Sequence, residues 1–71
     1  MDIVWKNELK AHILSLATHT ARATLFQEIA HTREVQGYVD ESRRYAQKAL
    51  QETEYANRKQ AFIWSMIDEK A

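Results

Sequence analysis

The 71-residue chain has no proline and a single glycine, Gly37, which sits just past the midpoint in the stretch TREVQGYVDESRR. Proline breaks a helix by removing a backbone donor, and glycine weakens one through backbone entropy. A chain almost free of both, and rich in Ala, Leu, Glu, Gln, Lys and Arg, is expected to be all-α, with residues 1–71 forming one helical domain. Glycine also takes the left-handed conformation that commonly follows the last turn of a helix. Gly37 therefore marks a helix end, and Asp40 three residues later is positioned to cap the next helix. Glu41 follows in that helix's first turn, where negative charge complements the dipole.

The expected architecture is an antiparallel helical hairpin, with helices at about 2–36 and 40–69, that dimerises into a helical bundle. The alternative is a three-helix bundle with an extra break near residues 19–23. Thr24 followed by Gln27 resembles a capping box there, and Thr18, Thr20 and Thr24 lower helix propensity. Trp5, Leu9, Ile13 and Leu16 also lie on nearly the opposite face from Leu25, Ile29, Thr32 and Val35. Against the break, Trp5, Leu9, His12, Leu16, His19, Ala23, Phe26 and Ala30 alternate by four and three without a slip, as in a heptad seam. Such a first helix is apolar on two sides and needs more than one neighbour.

In the second arm, Ala46, Ala49, Thr53, Ala56, Gln60, Ile63 and Ile67 follow heptad spacing, widened by Leu50 and Trp64. Folding at Gly37 sets Ala49, Thr53 and Ala56 opposite Ala21 and Thr24, and sets Ile63, Trp64 and Ile67 near Leu9, Ile13 and Leu16. Tyr55, Phe62 and Met66 read as a second apolar stripe, away from that seam. Below roughly 80 residues a single core rarely supplies more than about 3–5 kcal/mol, so a supplement is expected. Without cysteine it cannot be a disulfide, which leaves a homo-oligomer or a dedicated protein partner.

Ten basic residues balance ten acidic ones, so the basic excess typical of nucleic-acid binders is missing. No signal peptide or membrane span is expected, and the chain reads as cytoplasmic, without a cofactor. The expected function is a non-enzymatic protein–protein interaction module: a small adaptor, regulator or co-chaperone. Its candidate contact residues are Trp5, Leu9, Phe62, Ile63, Trp64, Met66 and Ile67 at the apolar open end of the hairpin. The alternative is a nucleic-acid-binding bundle using Arg33, Arg43, Arg44 and Lys48 near the turn, although acids are interleaved with them. Glu28 and His31 form one Glu-x-x-His pair, a weak metal motif that lacks the second copy used by four-helix carboxylate sites. His12 and His19, seven residues apart, suit register control or plain surface positions more than metal binding. Nothing suggests catalysis, since the chain has no glycine-rich phosphate loop and little room for a closed pocket.

Overall fold

The computed structural model describes residues 3–70, which form two antiparallel α-helices, α1 (Ile3–Val35) and α2 (Val39–Lys70). The turn between them satisfies the backbone groups that α1 leaves open at its end. Tyr38 N–H donates to the Arg33 carbonyl at 2.9 Å and Gly37 N–H to that of Glu34 at 3.0 Å. These two bonds make a Schellman motif, with Gly37 at φ +87° in the left-handed position. Asp40 does not precede α2 as expected. The helix starts at Val39, the Tyr38 carbonyl accepts the Ser42 N–H at 2.9 Å, and Asp40 and Glu41 both lie in the first turn. Their charges still complement the dipole there.

The three-helix alternative is not what forms. α1 runs without interruption through residues 19–23. The threonines that suggested a cap turn their hydroxyls back onto their own helix, Thr18 to the Leu14 carbonyl (3.0 Å) and Thr24 to the Thr20 carbonyl (3.3 Å). A threonine satisfied in this way tolerates a helix interior.

One seam joins the helices, and on α1 it is the uninterrupted heptad line from Trp5 to Ala30, every residue of which is at least partly buried. On α2 the seam keeps Ala49, Ala56 and Ile63 from the expected line, with Thr53 and Ile67 partly buried beside it, but differs at the positions between them. Ser42, Tyr45, Ala49, Glu52, Ala56, Lys59, Ile63 and Met66 face α1, while Ala46, Gln60, Leu50 and Trp64 are exposed. Choosing the most apolar heptad phase put polar Glu52 and Lys59 outside and left Met66 on a separate stripe. In the hairpin both charged residues find histidine partners across the seam, and Met66 is buried beside Ile63. The expected meeting of small residues does occur, through Ala23, Ala30, Ala49 and Ala56 rather than Ala21 and Thr24.

The hairpin is a rod of 55 × 15 × 12 Å with a radius of gyration of 16.1 Å, against about 11 Å for a compact domain of this length. Its accessible surface is 5497 Å². A compact monomer of 8.4 kDa would expose about 4,600 Å². One helix–helix contact therefore leaves an excess of roughly 900 Å², comparable to one partner's share of a standard interface.

At Gly37 an added Cβ would meet no atom within 4 Å, so substitution there tests backbone conformation alone. Gly37→Ala is expected to lower stability by about 1–2 kcal/mol, the cost of a left-handed non-glycine residue. Urea unfolding checks this; an unchanged midpoint would show that the turn does not need that conformation.

Candidate functional site

Four α1 residues spaced by seven, His12, His19, Phe26 and Arg33, each meet a pair spaced i, i+3 from the turn or α2 that combines an aromatic ring with a charge. Arg33 meets Tyr38 and Glu41, lying 5.7 Å from the ring centroid and 3.1 Å from the carboxylate. Phe26 packs against Tyr45 at 6.1 Å, and the Lys48 ammonium lies 5.8 Å from the Phe26 centroid. His19 meets Glu52 and, at 4.0 Å, the Tyr55 ring; His12 meets Lys59 and, at 4.8 Å, Phe62. The α1 residues between these layers are Leu9, Leu16, Ala23 and Ala30. At the turn end Ala30 lies close enough to α2 for the Ser42 hydroxyl to donate to its backbone carbonyl at 2.9 Å. The repeat was present in the sequence as Tyr38-x-x-Glu41, Tyr45-x-x-Lys48, Glu52-x-x-Tyr55 and Lys59-x-x-Phe62, but a search for apolar residues alone passes over it.

The two seam histidines play opposite roles. The Glu52 carboxylate can only accept, so His19 carries a proton on Nδ1 and donates it. The Lys59 ammonium can only donate, so the His12 Nδ1, 3.1 Å away, accepts. Arg22 adds a second donor to Glu52 at 2.8 Å, and the Glu52 side chain is only 14% exposed. The His19 hydrogen bond, helped by Arg22 and opposed by partial burial, holds the Glu52 carboxyl below its ordinary value of 4.5. A one-heptad slip that set His12 level with Glu52 would take Glu52 away from Arg22 and set Lys59 level with Trp5, where it has no histidine acceptor. The polar layers thus select one register, as single polar positions do in coiled coils.

The seven candidate contact residues separate into two groups. Ile63 and Met66 are buried in the seam, and Trp5, Leu9 and Ile67 are partly buried. The Lys70 ammonium lies 5.6 Å from the Trp5 ring centroid. Phe62 and Trp64 remain open, at 50% and 57% exposed. Two residues apart on a helix lie about 160° apart around the axis, so these rings occupy different flanks. Phe62 shares a flank with Tyr55 and Lys59, whereas Trp64 shares the other with Leu50.

Of the basic residues near the turn, Arg33 and Lys48 are engaged as described, while Arg43 and Arg44 are exposed. Glu28 and His31 are both exposed on α1, and among the described residues no group of three or more His, Cys, Asp or Glu side chains could hold a metal ion. No helix among the described residues is long and apolar enough to cross a membrane. No protein-family model, curated protein or solved structure matches the chain.

Because folding depresses the Glu52 pKa, the unfolded chain binds more protons on the acid side. The stabilisation is complete above pH 4.5 and is lost as pH falls through the lower folded value. Glu52→Gln, which keeps an acceptor for His19 but removes the charge, should lower the thermal midpoint at pH 7. It should also reduce the loss on acidification, so the two chains converge at low pH. Parallel pH profiles for the two would contradict this.

Proposed function

We propose that this chain is a non-catalytic protein–protein interaction module, a helical hairpin acting as a small adaptor, regulator or co-chaperone whose fold is completed by docking another helical chain or a second copy. One observation carries this: only six hydrophobic residues among those described are buried, four of them alanines, while twelve large ones stay exposed. Alanine buries little area, and no described side chain is fully enclosed, so at about 25 cal/mol per Å² the seam supplies a small share of what ordering two long helices costs. Isolated helical hairpins of this kind gain the remainder by association. Phe62 and Trp64 are the members of the open-end set left available for contact, because Ile63 and Met66 already serve the hairpin. Nucleic-acid binding through Arg33, Arg43, Arg44 and Lys48 has less support, since two of the four are taken up within the chain and the net charge is zero.

If association completes the fold, thermal stability depends on protein concentration. A tenfold increase in concentration should raise the melting midpoint by about 5 °C or more, followed by helical circular dichroism. Identical midpoints across that range, with cooperative melting, would contradict the proposal.

A further inference from the structure

The two helices differ in what they turn away from the seam. Along the outer line of α2 the charged residues Arg44, Glu54, Arg58 and Asp68 recur, as on a solvated helix face. The corresponding line of α1 has heptad spacing from Val4 to Val35 and only one charged residue, Glu28. Its large members, Val4, Leu14, Leu25 and Val35, are each more than half exposed. Asn7, Ala11, Thr18, Ala21 and Thr32 lie among them, and an antiparallel second copy sets Asn7 opposite Thr32. The hydroxyls of Thr18 and Thr32 on this line are already bonded to carbonyls of their own helix, so covering them strands no donor.

The order of residues on this line is close to a palindrome. With a two-fold axis level with His19 and Thr20, an antiparallel second copy sets Val4 opposite Val35 and Leu14 opposite Leu25. Thr18 then meets Ala21 at the centre, so large faces large and small faces small. Glu28 falls opposite Ala11, which leaves it room, and Lys10 of the second copy stands on the same side one residue away. A parallel pairing would instead set Glu28 beside its own copy and align the helix dipoles.

Resting on the proposed function above, we propose that the partner for this face is a second copy of the chain, with α1 paired antiparallel to α1 so that the two α2 helices lie on the outside. The contact is about 46 Å long at 1.5 Å per residue and one helix wide. It therefore buries on the order of 1,000 Å² in total, about the least that a specific interface needs. It is also isologous, the same patch on both copies, as two-fold dimers require.

Because the chain lacks cysteine, crosslinking can be read without background. Leu14→Cys chains mixed with Leu25→Cys chains are oxidised and separated by mass, and the solution mass of the wild-type chain is measured by light scattering. Both leucines are exposed, so neither change disturbs the hairpin seam. The expected product is the mixed disulfide, while Leu14→Cys alone stays uncrosslinked because its two copies lie about 16 Å apart along the axis, beyond disulfide reach. A second mixture, Thr18→Cys with Ala21→Cys, should crosslink at the centre even if losing a leucine weakens the pair. A Leu14→Cys homodisulfide would overturn the arrangement in favour of a parallel one. A dimeric mass with no mixed disulfide in either mixture would overturn it while sparing the proposed function. A folded wild-type monomer would overturn both.

Discussion

Among the described residues one helix–helix contact is the whole of the tertiary structure, and the other properties follow from how little that contact can bury. Two rods packed along one line cover only one stripe of each. The seam uses this limited area for closeness and register more than for apolar volume. Alanines at Ala23, Ala30, Ala49 and Ala56 allow the backbones to approach until the Ser42 hydroxyl reaches the Ala30 carbonyl. Between these layers, His12 with Lys59 and His19 with Glu52 and Arg22 hold the helices in one alignment. Among the described residues no buried side-chain polar atom lacks a hydrogen-bond partner, so the polar layers carry little desolvation penalty.

That division of labour explains why the surface is so apolar. Leucines and valines that would fill the core of a larger domain have no inner face to occupy, and α1 turns Leu14, Leu25 and Val35 to the outside. α2, with a polar outer line, is built to have water on that side. In the dimer proposed above, this asymmetry makes α1 the inner helix and α2 the outer one. On this view the hairpin is half of a structure, and its register is fixed before the second half arrives.

The hairpin itself was legible in the sequence. Gly37 marked the turn, and the line from Trp5 to Ala30 gave the seam of α1 through a stretch where the threonines suggested a break. Local propensity lost to the heptad pattern there, and Thr18 and Thr24 bond to carbonyls of their own helix. In α2 the sequence pattern marks Ala49, Ala56 and Ile63 as seam residues, but hydrophobicity alone ranks Gln60 and Ala46 above Lys59 and Glu52 for the positions between them. Which polar residues belong inside depends on what faces them, and His12 and His19 lie more than thirty residues away in the chain. The same limit applied to the open-end contact residues. The sequence marked that end as rich in large side chains but could not divide Ile63 and Met66, used internally, from Phe62 and Trp64, left outside.

The central claim is that the hairpin alone is an incomplete fold. Sedimentation equilibrium on the unmodified chain, under conditions where it is helical and melts cooperatively, addresses that claim most directly. The expected mass is twice the 8.4 kDa of one chain or a higher multiple. A single 8.4 kDa species that remains helical and unfolds cooperatively would contradict the account.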